Sequence, residues 1–309
     1  MANQSPNVNL SSRADRSPDP VEIDLQPIER PVTIRTLQRK VDAGEAFACL
    51  TAYDALTAGH MQAAGVPVLL VGDTAAEVIL GLPGTIHAPL EFLITLTAAV
   101  KRGAPNCWVI GDMPFMSYQV NIEEGLRNAG RFLVEGHADA VKLEVDLGHT
   151  ELVRRMAHAG VPVIAHIGSK PQQARRHGGY YSDGRTVDAA ERLIEEAKAF
   201  EAAGASMILV EAVPSEVAAH IVKSVGIPVI GCGAGPECHG QIVVTHDLLG
   251  LTDWQPPFAQ PIDQIGTAIR QVAGQWASRV SRRAHGEHPY RMSEGEAERL
   301  GSRDDSCSG

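Results

Sequence analysis

The chain has 309 residues, 44% hydrophobic and 21% charged, and its 27 Lys and Arg against 37 Asp and Glu leave a formal net charge of −10. That balance belongs to an ordinary globular protein, and an acidic chain without a strong basic patch offers nucleic-acid phosphates nothing to bind, so nucleic acid is excluded as a partner. At about 150 residues per domain the length suits two domains, but a single barrel of about 250 residues suits it equally.

Residues 1–31 are rich in Ser, Pro, Asn and charge, carry no apolar leader segment and are expected to form a mobile tail. Short apolar runs then recur in the order FACLTAY, VPVLLVGD, CWVIGDMP, AVKLE, VPVIAHIG, SMILVEAV, IPVIGCGAG and QIVVTHD. Each reads as a strand buried on both faces, as in a parallel sheet. The stretches IEEGLRNAGRFLVEG, TELVRRMAHAG, VDAAERLIEEAKAFEAAG and PSEVAAHIVKSVG lie between them, with apolar spacing near 3.6 and a closing Gly, and predict helices. Residues 285–309 return to charge, Gly and Ser and are expected to be a second tail, which leaves 32–284 as the folded domain.

Eight strand-like runs alternating with helices predict a (β/α)₈ TIM barrel. An open nucleotide-binding sheet would give the same alternation, but it should show G-x-G-x-x-G after its first strand, and FACLTAYDALTAG has no such loop. Five cysteines, Cys49, Cys107, Cys232, Cys238 and Cys307, are an odd set without a C-x-x-C pair in a chain too large to need staples. They point to a reducing, cytoplasmic setting. No apolar run approaches the roughly 18 residues that cross a bilayer, so no membrane partner is expected.

Barrel chemistry sits where strands end, so the polar residues closing each run are the candidates. They are Asp73, Asp112, Lys142 with Glu144, His166 and Glu211. Carboxylates crowded at one mouth repel unless a hard cation takes their oxygens, which marks Asp73, Asp112 and Glu144 as a magnesium site; helix capping is the plainer role for each Asp. Calcium would need more ligands, and zinc would need His and Cys clustering that is lacking. Lys142 and Glu144, two apart on a strand, face one side and form either a site or a structural salt bridge. His166 is either part of the site or a hydrogen-bonded core histidine. Glu211 closes a greasy strand that raises a carboxylate's pKa, which suits a general base, although a further metal ligand is an equal reading.

Many ordered fragments carry a resemblance: TAYD at 51–54, VGD at 71–73, RGAPNC at 102–107, DMPFMSY at 112–118, AVKLE at 140–144, HIG and PQ within 166–172, GGY at 178–180, EAAGA at 201–205, VEAVP at 210–214, and IPVIGCGAG with GQIVVTHD within 227–247. From about Val32 to Gly250 the sequence resembles the ketopantoate hydroxymethyltransferases of the phosphoenolpyruvate/pyruvate barrel superfamily. The resemblance implies Mg²⁺ on Asp73 and Asp112, with Glu144 near it through water. It implies substrate contacts from Asp112, Lys142 and His166, and from the Thr74 hydroxyl where the family carries Ser, with Glu211 as the base. It further implies 3-methyl-2-oxobutanoate as the 2-oxoacid, 5,10-methylenetetrahydrofolate as co-substrate and a homo-oligomer, commonly a decamer. The chain departs from the family mainly in the loop 74–89, where Ala76 replaces a glycine and Leu82 a histidine. A paralogue acting on another 2-oxoacid, and a folate-independent lyase or mutase of the same superfamily, are therefore the alternatives.

Overall fold

The computed structural model describes residues 25–284, 286 and 288–305. Eight parallel strands close into a barrel in sequential order. They are β1 (Phe47–Thr51), β2 (Val68–Val71), β3 (Trp108–Asp112), β4 (Ala140–Glu144), β5 (Val163–Gly168), β6 (Met207–Glu211), β7 (Val229–Cys232) and β8 (Gly240–Val243). Seven lie within the apolar runs, and β8 begins one residue before QIVVTHD. Closure comes from β1 pairing with β8, Cys49 opposite Ile242.

Helix α1 (Ile34–Asp42) precedes β1, and the helices between the strands are α2 (Ala55–Ala63), α3 (Ala75–Val78), α4 (Leu90–Gly103), α5 (Ile122–Val134), α6 (Thr150–His158), α7 (Ala174–His177), α8 (Val187–Ala202) and α9 (Ser215–Ser224). Their starts are chemically marked. The side chains of Asp54, Asn121 and Thr186 accept the backbone N–H of Thr57, Glu124 and Ala189 and so satisfy donors that a helix start leaves unpaired. The longer helices then bury one face: α5 turns Gly125, Asn128, Ala129 and Phe132 inward, and α8 turns Leu193, Ala197 and Phe200 inward.

Strand side chains alternate, and the alternation separates two apolar layers. Leu69, Val71, Val109, Val141, Leu143, Ala165, Ile208 and Val210 point outward into the layer shared with the helices. Phe47, Cys49, Val68, Leu70, Trp108, Ile110, Ala140, Ile164, Met207, Leu209, Ile230 and Ile242 fill the barrel interior. The same inward parity continues up the strands to Asp112, Lys142, Glu144, His166 and Glu211. The interior is thus apolar at its base and charged at its carboxyl end.

The chain divides into two compact units after Thr245, inside the 32–284 span that the sequence suggests as one domain. All eight strands belong to the first unit. The second, described from His246, holds most of α10 (Thr245–Leu248), with α11 (Ile265–Ser281) and α12 (Glu296–Asp305). Its turn after α10 is built on Gly250, whose φ of +59° and approach to Asp263 O leave no room for a side chain. Along α11, Ile269, Val272, Trp276 and Val280 are all exposed.

Of the expected N-terminal tail, residues 1–24 lie outside the described residues, whereas the Ile28 N–H donates to Gln62 O (3.0 Å) and the Val32 N–H to Asn106 O (2.8 Å), so the chain is already fixed to the barrel before residue 32. Within 285–309, Glu296–Asp305 is helical, with Glu296 paired to Arg299 at 2.6 Å one turn on. The local charge spacing that supports this helix carries no apolar stripe for the sequence to reveal.

Phe132 is fully buried and lies against the backbone of Gly111, where any Cβ would collide with its ring. The change Phe132→Ala should cost about 3–5 kcal/mol of stability, and Gly111→Ala about 1–3 kcal/mol through overpacking, both read from chemical denaturation midpoints.

Candidate active site

Adjacent strands align the polar residues. Asp112 on β3 is registered with Lys142 on β4, Glu144 with His166 on β5, and Gly168 with Glu211 on β6. In-register neighbours of a parallel sheet point the same way, so these side chains gather at the mouth without any long loop to carry them. Asp73, Asp112, Lys142, Glu144 and His166 are all buried, while the Glu211 side chain keeps 21% of its exposure.

One line of contacts runs across the mouth. Lys142 Nζ lies 2.8 Å from Asp112 Oδ1 and 3.4 Å from His166 Nδ1, and His166 Nε2 lies 3.5 Å from Glu211 Oε2. An ammonium only donates, so the Nδ1 facing it is the acceptor and the imidazole proton is assigned to Nε2, toward Glu211. The Lys142 ammonium is thus the charge partner of Asp112 Oδ1 in the interior. The other oxygen of Asp112 accepts the Asp73 N–H at 2.9 Å. The Asp73 side chain accepts from Gln172 Nε2 at 2.9 Å, and the Thr74 hydroxyl lies 3.1 Å from Tyr53 Oη.

These partners bear on two of the alternatives left by the sequence. Neither Asp73 nor Asp112 caps a helix: the N-cap of α3 is Thr74, without a side-chain cap, and the Asp that caps a helix nearby is Asp54, at the start of α2. Lys142 pairs with Asp112 across strands, not with Glu144 along its own.

Burial and charge set the protonation states. Burial pushes the Glu211 carboxyl up to about 7, with Lys142 pulling it back and Asp73 adding to the rise. Burial likewise raises Glu144 well above the usual carboxylate range against the pull of Lys142. Burial lifts Asp112 too, and Lys142 opposes it. Burial disfavours the Lys142 ammonium, but Asp112, Asp73 and Glu144 outweigh that and hold it charged. His166 is driven well below its ordinary value by burial and by the Lys142 and Lys170 ammoniums, so it is neutral.

The sequence does not single out Gln172, Tyr118 or Tyr53, although all three fall inside the fragments that carry the resemblance. Tyr118 Oη accepts the Glu144 N–H at 3.0 Å and lies 3.1 Å from Gln172 Oε1. In the departing loop, Ala76 is fully buried in the layer between strands and helices, and Leu82 is 36% exposed.

The closed parallel barrel and its charged mouth define a (β/α)₈-barrel enzyme. Solved structures agree on the fold: 2,3-dimethylmalate lyase, a PEP mutase/isocitrate lyase superfamily member, aligns at TM-score 0.53 and 17% identity over 90% of this chain and 99% of its own. Phosphonopyruvate hydrolase aligns at TM-score 0.55 and 14% identity over 89% and 98%. The pattern of the ketopantoate hydroxymethyltransferase family matches residues 31–288. The 3-methyl-2-oxobutanoate hydroxymethyltransferase of Hyperthermus butylicus is 42% identical over 87% of this chain and 94% of its own length, and that of an Anaeromyxobacter species is 43% identical over 82% and 85%. The chain belongs to the ketopantoate hydroxymethyltransferase family.

Removing Lys142 would strand Asp112 in the interior. Lys142→Met should destabilise the protein by about 3–5 kcal/mol at pH 8. With its folded pKa raised above the unfolded value, Asp112 folds as the neutral acid at low pH, so the deficit should shrink as pH falls and grow as it rises. Melting temperatures of the variant and the parent across pH 5–9, in chelator, check this.

Proposed function

We propose that this protein transfers the one-carbon unit of 5,10-methylenetetrahydrofolate to C3 of 3-methyl-2-oxobutanoate, water supplying the hydroxyl and tetrahydrofolate leaving, to give 2-dehydropantoate for pantothenate biosynthesis. The observation that carries the reading is the line Asp112–Lys142–His166–Glu211, which ends on a carboxylate with a pKa of about 7. A general base works best with a pKa near the working pH. The relatives at 42–43% identity bear the name of this activity.

The donor set suits Mg²⁺. Among the described residues no group of three or more His, Cys, Asp or Glu is placed to hold a metal ion by itself. Mg²⁺ does not need one: it keeps several waters and is commonly held by one or two carboxylates together with the substrate. Asp73 and Asp112 would hold it, with Glu144 behind: the two carboxylates are already linked, the Asp73 N–H donating to Asp112 Oδ2 at 2.9 Å. When bound, the ion supplies positive charge at the carboxylate and keto oxygens of the oxoacid as C3 loses its proton.

The residues of the chain do the rest. Glu211 takes the C3 proton on its carboxylate. His166, neutral, places its Nε2 3.5 Å from that carboxylate, and its Nδ1 faces Lys142. The Lys142 ammonium adds charge beside the substrate oxygens, and the Thr74 hydroxyl, steadied by Tyr53, donates to the oxoacid carboxylate. The apolar rows beneath exclude water from the barrel side and strengthen each of these interactions. The same reading carries the family's habit of cytoplasmic homo-oligomers, commonly decamers.

Exchange of the C3 hydrogen of 3-methyl-2-oxobutanoate with deuterated solvent tests the reading. The parent should exchange in Mg²⁺ and stop in chelator, and Glu211→Gln should abolish exchange while the oxoacid still binds. Exchange at the parental rate in Glu211→Gln would move the base elsewhere. Because Glu211 must be ionised to accept the proton, the rate should fall as pH drops through its pKa, set at about 7 by burial and moved lower by a nearby cation.

The altered loop favours a second reading, a shifted oxoacid preference. One methylene in an apolar pocket changes kcat/KM by roughly 10- to 200-fold. A series of 2-oxoacids assayed before and after Leu82→His should show a graded change of that order. A parent that already prefers 3-methyl-2-oxobutanoate by a wide margin dismisses this second reading. Transformation of an oxoacid with no folate present favours the lyase or mutase alternative.

A further inference from the structure

Gln172 lies in the short turn after β5 and is 4% exposed. Its backbone N–H donates to both carboxylate oxygens of Glu144, at 3.2 and 3.1 Å. Its Nε2 donates to Asp73 Oδ2 at 2.9 Å and to Met113 O at 3.1 Å. Its Oε1 faces Tyr118 Oη at 3.1 Å and Gln119 Nε2 at 3.2 Å. Oxygen and nitrogen of the carboxamide are therefore assigned by their surroundings, donors on one side and acceptors on the other.

Among the described residues, every hydrogen bond to the side-chain oxygens of Asp73 and Glu144 comes from this one residue. The third acid, Asp112, has Lys142 and the Asp73 N–H. A lysine in place of Gln172 would also satisfy Asp73, but its charge would compete with a cation for the same oxygens. A neutral amide fixes the carboxylate and leaves its charge available. The two acids come from different strands, and the turn that joins their positions is itself pinned by Tyr118, which touches both the Glu144 backbone and the carboxamide.

We propose that Gln172 is the positioning residue of the cation site: through its backbone N–H and its carboxamide it holds the Glu144 and Asp73 carboxylates at a fixed separation, so that the site is formed before the ion arrives. The proposal rests on the reading that these acids serve a divalent cation. Groups that hydrogen-bond to metal-ligating carboxylates typically change metal affinity by about 10- to 100-fold when removed.

The test titrates the full-length protein with Mn²⁺ and follows free ion by electron paramagnetic resonance. Gln172→Met keeps the length and the backbone N–H and removes the carboxamide. It should weaken Mn²⁺ binding by about 10- to 100-fold, and the metal concentration for half-maximal rate should rise by more than kcat falls. Its melting temperature in chelator should fall by several degrees as the buried partners of the carboxamide lose it, but the variant should remain folded at the titration temperature, so that lost affinity reports the site and not unfolding. Tyr118→Phe, which keeps the ring and leaves Gln172 in place, should weaken binding severalfold in the same direction. If the parent binds Mn²⁺ and the folded variants bind it within twofold of the parent, Gln172 is not the positioning residue and the cation reading stands. Should Gln172→Met not fold, parental affinity in Tyr118→Phe overturns the proposal alone. A parent that binds no Mn²⁺ overturns both.

Discussion

The ion pair between Asp112 and Lys142, 2.8 Å apart and almost fully buried, is the constraint on which the rest of the mouth depends. Taking two charges out of water costs several kcal/mol per ion, and the attraction between them offsets this only when the remaining valences are also met. Here the Asp73 N–H caps one Asp112 oxygen, and Asp73 and Glu144 add negative charge that keeps the ammonium protonated. That ammonium in turn opposes the rise of the Asp112, Glu144 and Glu211 pKa values and drives His166 neutral. Burial and this one ammonium together thus set the protonation states at the mouth.

The barrel supplies this arrangement through strand register rather than through loops. On β3 the inward series is Trp108, Ile110, Asp112; on β4 it is Ala140, Lys142, Glu144; on β6 it is Met207, Leu209, Glu211. Each rises from apolar to charged over five residues. The close approach of β5 and β6 at the mouth depends on Gly168, with φ of +91°, where a Cβ would run into Glu211 O; the next residue, Ser169, donates its N–H to that same oxygen at 2.8 Å. Glu211 is therefore fixed by backbone on the side where His166 meets it.

Much of this was legible in the sequence because strands buried on both faces read as continuous apolar runs, and a charged residue at the end of such a run needs a reason. That rule finds Asp73, Asp112, Lys142, Glu144, His166 and Glu211, and the structure brings them to one mouth. It misses Gln172 and Tyr118, whose contacts arise from turns between elements, where residue type carries little positional information. It also misses the helix Glu296–Asp305, which has too few apolar residues to stand out from a tail, and the fixing of Ile28, which is done by backbone hydrogen bonds that any side chain permits. Glycine at 76 and histidine at 82 in the family mark a loop that differs, but only coordinates show that Ala76 packs into the core while Leu82 stays partly exposed.

The central claim is that the acids at the ends of β2 and β3 hold a divalent ion that presents the oxoacid to Glu211. Anomalous diffraction from crystals soaked in Mn²⁺ and 3-methyl-2-oxobutanoate tests it most directly. The account predicts an anomalous peak between Asp73 and Asp112, with the oxoacid against that peak and its C3 turned toward the Glu211 carboxylate. A peak at any other group of side chains, or an oxoacid whose C3 faces away from Glu211, would contradict it.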